Sequence, residues 1–205
     1  MAGSSVNPIL FVDFFYKIVG IKPMDITETL HVTDREAWRR WLSQHHATKS
    51  EIWLVSHSTS SGKPRIPYVE AVEEALCFGW IDGIAKKLDS ARTAQRFTPR
   101  RPRSHWTELN KERARRLIAQ GRMTEAGLAR LPDLSPESFH IADDIVLALQ
   151  AESKIWHNFE RFPEVYKRIR IGYIEEMRKQ PDVFRTRLEN FLKKTRENKM
   201  FGGME

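Results

Sequence analysis

Hydrophobic and polar positions recur along this chain with two different periods, and the switches between them lay out its elements. Thr33-Asp34-Arg35-Glu36 has the spacing of a capping box, with Thr33 at the N-cap. It predicts a helix to about His46 whose inward stripe is Ala37, Trp38, Trp41 and Leu42. Glu51 to His57 is rich in Ile, Trp, Leu and Val and reads as a strand, followed by a polar loop from Ser58 to Lys63. Pro67 suits the first turn of a helix from Tyr68 to Phe78, with Val69, Val72, Ala75 and Leu76 inward and Gly79 as its stop. Trp80 to Leu88 and Arg92 to Thr98 read as the strands of a hairpin that turns at Asp89-Ser90-Ala91. Trp80, Asp82 and Ile84 share a face of the first strand. On the second, Arg92, Ala94, Arg96 and Thr98 share one face, and Thr93, Gln95 and Phe97 the other. Pro99 and Pro102 end the sheet and force an extended arm through Arg100, Arg101 and Arg103.

Ser104 is the expected cap of the next helix, which runs to about Gln120 before Gly121. With Trp106 at zero and about 100° per residue, Leu117 falls near 20°, Asn110 near 40°, Arg113 near 340° and Leu109 near 300°. Asn110 and Arg113 therefore sit inside the apolar stripe, whereas Lys111, Glu112 and Arg115 point outward. A guanidinium in a stripe must find a partner or a ligand, because an unpaired buried charge is costly. An internal salt bridge from Arg113 to Asp82 and a ligand-facing role are both open on this pattern.

Beyond Thr124, which caps a short helix to Leu131, Pro132, Ser135 and Pro136 mark a linker, and the remaining pattern is helical. Ile141 to Gln150 and Ser153 to Phe159 are short segments. Pro163 to Lys179 and Pro181 to Arg196 are longer, and their stripes (Tyr166, Ile169, Tyr173, Ile174 and Met177; Phe184, Leu188, Phe191, Leu192 and Thr195) predict an antiparallel hairpin. The fold class expected is α+β: a small antiparallel sheet packed with helices over residues 24–131, then an all-helical C-terminal region over 132–205. Ile9 to Ile21 is apolar, but Asp13 and Lys17 interrupt it, no basic residue precedes it and it is too short to span a bilayer. Residues 1–23 read as a poorly packed or accessory extension, without membrane insertion.

Composition narrows the class. In 205 residues, 40% hydrophobic and 30% charged describe a globular chain. The single cysteine, Cys77, reads as core filler, excludes an internal disulfide framework and suits a reducing cytoplasm. The net charge of +7 is concentrated: residues 92–122 carry ten Lys/Arg against two Asp/Glu, while residues 1–91 sum to −1 and residues 123–205 to zero. There is no phosphate-binding glycine loop, no HExxH, no nucleophile elbow and no Cys/His metal spacing, so neither a metal nor a cofactor is expected.

The candidate site is drawn from this stretch. Arg96, Arg100 and Arg101 would form a guanidinium cluster beside the N-terminus of the Ser104 helix. Trp80 and Trp106 would supply stacking surface, with Asp82, Asn110 and Arg113 completing the ligand-binding set. The ligand expected is a phosphate- or carboxylate-bearing small molecule. Two other readings stand beside it. The Ser104 helix, the Gly121-Arg122-Met123 turn and the Thr124 helix outline a helix-turn-helix that would bind nucleic acid non-specifically. Alternatively, Asp82, Asn110 and Arg113 would serve an enzyme whose reaction, like any catalytic set, the residues leave undefined.

FGWIDG at 78–83, RFTPRRPRSHW at 96–106, Asn110, GRMTEAGL at 121–128 and YKRIRIGYIEEMRKQPDVFRTRLENFLKK at 166–194 resemble the YdeI/OmpD-associated, or bacteriocin-protection, family. HATKSEIWLV and SGKPRIPYVEAVEEAL upstream are similar to it too, so the resemblance spans roughly residues 30–200. It implies an α+β fold and a place in bacteriocin or stress tolerance, with a protein partner among the possibilities, and it carries over no catalytic residues.

Overall fold

The computed structural model describes residues 25–203, and the expected extension at 1–23 lies outside them. A four-stranded sheet organises the first half, built from β1 (Thr29–His31), β2 (Ile52–His57), β3 (Trp80–Lys87) and β4 (Arg92–Pro99) in the order β1-β2-β4-β3. The β2–β4 and β3–β4 pairs are antiparallel, and the short edge strand β1 adds itself parallel to β2, which makes the sheet mixed. Nothing in its sequence pattern announces β1, since three residues are too few to display an alternation.

α1 (Arg35–His45), α2 (Tyr68–Cys77) and α3 (Glu108–Ala119) cover one face of the sheet. The cap of α1 is Asp34, one residue later than Thr33, and its carboxylate accepts from the Ala37 N–H at 2.8 Å. There it satisfies an orphan donor and faces the positive end of the helix. Trp38, Leu42, Val72, Ala75, Leu76, Ala114 and Leu117 from the helices meet Ile52, Leu54, Trp80 and Phe97 from the sheet in one buried cluster. Trp53, Val55 and Ala94 point to the opposite face, where Ile26 packs on them.

Glu74 lies within the helical core, fully buried. Its carboxylate takes Arg35 at 2.5 Å, Arg39 at 2.6 Å and Arg122 at 2.5 Å, tying α1, α2 and the turn after α3 into one ionic knot. Burial alone would raise its pKa, but the three arginine hydrogen bonds outweigh that and hold it below the usual carboxylate range.

α4 (Glu125–Leu128) is a single turn capped by Thr124, whose hydroxyl also donates to the Cys77 carbonyl at 2.6 Å. A Cβ on Gly127 would stand 2.2 Å from that same carbonyl oxygen, so α4 is pressed directly onto the end of α2. The rest is helical: α5 (Asp143–Gln150), α6 (Ser153–Arg161), α7 (Glu164–Glu175) and α8 (Pro181–Arg196). They enclose a second core containing Ile145, Leu149, Phe159, Tyr166, Ile174 and Phe191. α8 packs on both α6 and α7. The two halves meet where α7 crosses α3. Gly172 leaves room for Glu108, and Arg168 reaches Glu112 at 3.4 Å. Among the described residues no helix is long and apolar enough to cross a membrane.

Candidate functional site

The α3 helix begins later than its sequence suggests. Thr107 is the N-cap, accepting from the Asn110 N–H at 3.1 Å, and residues 100–106 stay irregular. Ser104 is occupied elsewhere, because its hydroxyl lies 3.5 Å from the Arg100 guanidinium. Trp106 is thus outside the helix, yet the phasing of the later residues holds. Arg113 is only 6% exposed and shares the buried side of α3 with Ala114 and Leu117.

Around Arg113 the fold gathers a compact polar group. Its guanidinium donates to the Asn110 side-chain carbonyl at 3.0 Å. Burial lowers its pKa, and Tyr68, Glu73 and Asp82 partly offset the effect. Asp82 projects from β3 on the helix-covered face, level with Phe97. It accepts a hydrogen bond from the Tyr68 hydroxyl at 2.5 Å. Tyr68 is the first residue of α2 and half exposed; burial of its hydroxyl and the bond to Asp82 push its pKa well above the usual tyrosine value. A bulge between Asp82 and Ala85 breaks the β3–β4 register just beyond this pair, and Gln95 fills it by donating to the Gly83 carbonyl at 2.7 Å.

Arg100 is tied to this group electrostatically, through Asp82. It is 3% exposed. Its guanidinium carbon lies 3.7 Å from the centre of the Trp106 ring, and it donates to the His105 carbonyl at 3.2 Å. Its Nε has no hydrogen-bond partner, and no carboxylate lies within ion-pair distance of it among the described residues. Burial lowers its pKa to about 10, and Asp82 opposes the shift electrostatically. Asp82 therefore acts on both buried arginines.

Other residues of the expected set are placed elsewhere. Trp80 is in the core, its indole N–H donating to the His46 carbonyl at 3.1 Å, and offers no stacking surface. Arg96 pairs across the sheet with Trp53, on the face away from Asp82, and forms a salt bridge with Glu51. Arg101 is exposed on the arm. Space does open at the start of α3, about 360 Å³ bounded by Trp106 and Lys111, but Glu108, Glu175 and Glu176 line it and make it acidic. A cavity of about 240 Å³ lies instead on the helix-covered face of the sheet, between Leu54, Phe97 and Gln95 on its floor and Tyr68, Arg65 and His57 at its rim. Tyr68 thus joins that cavity to Asp82.

The basic stretch is less open than its charge count implies. Arg92 pairs with Asp89, Lys111 with Glu108, Arg115 with Glu112, Arg116 with Glu73 and Arg122 with Glu74. Arg115 and Glu112, outward on the helical wheel, are covered by the linker and α7: Arg115 donates to the Leu134 carbonyl at 2.8 Å. Tyr68 and Glu74 carry much of this electrostatics and were not singled out by sequence. For Glu74 a signal existed, since about 100° per residue places it between Cys77 and Phe78 on α2. For Tyr68 none did. Among the described residues no three His, Cys, Asp or Glu converge as metal ligands.

Residues 30–130 match a family model described as a domain of unknown function (DUF8412), and residues 138–198 match one described as bacteriocin-protection, YdeI or OmpD-associated. No curated protein and no solved structure matches the chain. The motifs at 78–128 thus fall under the first model and only the C-terminal run under the second, so every residue of the candidate site lies in the domain of unknown function. The likeness to the bacteriocin-protection, YdeI or OmpD-associated family is therefore carried by residues 138–198.

Proposed function

We propose that the first half of the chain binds a small carboxylate- or phosphate-bearing molecule at Arg100, Arg113 and Asn110, with Asp82 and Tyr68 setting its orientation and Trp106 backing Arg100. The observation that carries this reading is the burial of Arg100 with its Nε bare and, among the described residues, no carboxylate within ion-pair distance. A cation in that position costs several kcal/mol unless something compensates it. A bound anion would do so, accepting from the bare N–H, while Asn110 and the Tyr68 hydroxyl would direct a polar edge. Arg101 lies on the exposed arm that follows and would extend the field toward solvent. Trp80 and Arg96, drawn into the set by sequence, would support it only through the sheet. Bacteriocin or stress tolerance, the setting that the family name of the C-terminal region suggests, is the context proposed for this binding. Cys77 is fully buried with its pKa pushed up to about 11, and suits a reducing cytoplasm.

The test is a melting-temperature panel with phosphate, sulfate, citrate and a nucleoside monophosphate against chloride at matched ionic strength. The expected result is a concentration-dependent rise for at least one of them. Arg113→Gln should abolish the rise and Arg96→Gln should keep it. Asp82→Asn should enlarge it, because the amide oxygen can still accept from the Tyr68 hydroxyl that orients the ligand while the negative charge facing the two cations is gone. A panel in which no anion exceeds the chloride control would overturn the reading.

A further inference from the structure

We propose that the C-terminal helices carry a second, independent binding site, for a monocarboxylate with an apolar body, in the cavity enclosed by α7, α8 and the chain that follows α8. The cavity measures about 350 Å³, within the range of small-molecule sites. Its floor is apolar, formed by buried Ile174 and Phe191 together with Phe201.

Two arginines supply the charge. The Arg187 guanidinium carbon lies 3.5 Å from the centre of the Tyr173 ring, with Nη1 donating to the Tyr173 carbonyl at 2.5 Å. Arg170 lies 5.5 Å from the same ring and 5.7 Å from that of Phe201, donates from Nη2 to the Gly203 carbonyl at 3.2 Å, and has no partner for its Nε. Neither forms an ion pair among the described residues, whereas Arg168, Arg178 and Arg196 nearby are all committed to acids. Glu176 acts on Arg187 electrostatically without a salt bridge.

The wall opposite the helices is fitted to Arg170. The Phe201 N–H donates to the Tyr166 hydroxyl at 3.3 Å. Gly202 has φ +72°, and a Cβ there would stand 2.2 Å from Arg170 Nη1, so both its backbone and its lack of a side chain serve the contact. Each guanidinium is fixed by one hydrogen bond and by aromatic rings, which leaves further N–H groups for a ligand. A carboxylate accepts from two forks held in place, Asn190 at the rim offers a directional amide, and the body of the ligand rests on Ile174, Phe191 and Phe201. A free phosphate would gain nothing from that floor.

The full chain is titrated with benzoate and octanoate, with benzyl alcohol as the uncharged control and inorganic phosphate as the charged control without a body, following the ring resonances of Tyr173 and Phe201. Saturable shifts are expected for benzoate or octanoate, with benzyl alcohol and phosphate at least tenfold weaker. Arg170→Gln and Arg187→Gln should each weaken binding at least tenfold. Arg161→Gln, which removes an exposed charge from the same region, should leave it unchanged. Where a glutamine variant lowers stability, Arg187→Lys and the wild-type titration still decide. The proposal fails if neither acid shifts those rings in the folded wild type, if phosphate or benzyl alcohol binds as well, or if both glutamine variants bind like the parent.

Discussion

The guanidinium of Arg100 lies 3.7 Å from the centre of the Trp106 ring, with 3% of the residue exposed. A cation over an aromatic face is attracted by the ring quadrupole, but the attraction is about 1–2 kcal/mol, less than the cost of burying an unpaired charge. The two residues hold a charge in place without neutralising it. That distinguishes Arg100 from Arg35, Arg39 and Arg122, whose charge Glu74 answers.

Arg100→Met keeps the apolar stem as far as the position of Nε while removing the guanidinium and its charge. Stability to urea is expected to stay within about 1 kcal/mol of the parent or to rise, as when buried ions give way to apolar residues. The melting-temperature response to anions should vanish at the same time. A loss above about 3 kcal/mol would mean that Arg100 is a structural ion with a partner, and would remove the reason to assign it a ligand.

Glu74→Gln should do the opposite. It leaves three guanidiniums facing a neutral amide in the core, so a loss of about 3–5 kcal/mol is expected at pH 7. The carboxyl has its pKa lowered in the folded chain. Its contribution is therefore present above the unfolded value and lost as pH falls through the folded one. The gap between parent and variant in urea melts should accordingly narrow below about pH 4.5. A gap that is the same at pH 3.5 and pH 7 would mean that the knot is held by shape and not by charge.

The contrast between these arginines shows how far the sequence could be read. Arg113 was legible because helical phasing is rigid: an arginine inside an apolar stripe stays inside it whether the helix starts at Ser104 or Thr107. Glu74 was open to the same reasoning but sits on a helix buried on nearly every side, where no polar face sets off one acid. Arg96 was legible as a face, not as a neighbour. Alternation puts it opposite Phe97, but whether Asp82 lies with Phe97 or with Arg96 depends on the β3–β4 register, which the bulge at Gly83 and Ile84 shifts by one residue. Tyr68 meets Asp82 only through the packing of α2 on the sheet, a contact no local pattern encodes. In the C-terminal half, Pro181 to Arg196 was readable to the residue, because proline at the first turn and basic residues in the last mark both ends.

Gly127→Ala tests the seat of α4. The added methyl would stand 2.2 Å from the Cys77 carbonyl oxygen and 2.7 Å from its carbon. Backbone cannot yield as a flexible side chain can, so overpacking of about 1–3 kcal/mol is expected in urea melts. Amide exchange should accelerate at Thr124 and Leu128 as α4 lifts. A variant as stable as the parent would show that α4 can move off α2 without cost.

The seat of α4 also bears on nucleic acid. A recognition helix must enter a groove, and α4 is one turn, capped by Thr124 and pressed on Cys77 by Gly127. The charge of the basic stretch is largely spent within the fold: of its ten Lys/Arg, six are engaged in ion pairs with Asp or Glu, and Arg100 and Arg113 are buried. Arg101 and Arg103 remain exposed on the arm. Two phosphate contacts release about two counterions, so log K for duplex DNA should fall with log salt with a slope near −2. Binding that weak should be gone at about 150 mM salt. A slope steeper than about −5, or binding that survives physiological salt, would mean that the ion pairs at Glu51, Glu73, Glu74 and Glu112 open for phosphate and that nucleic acid is the partner of this stretch.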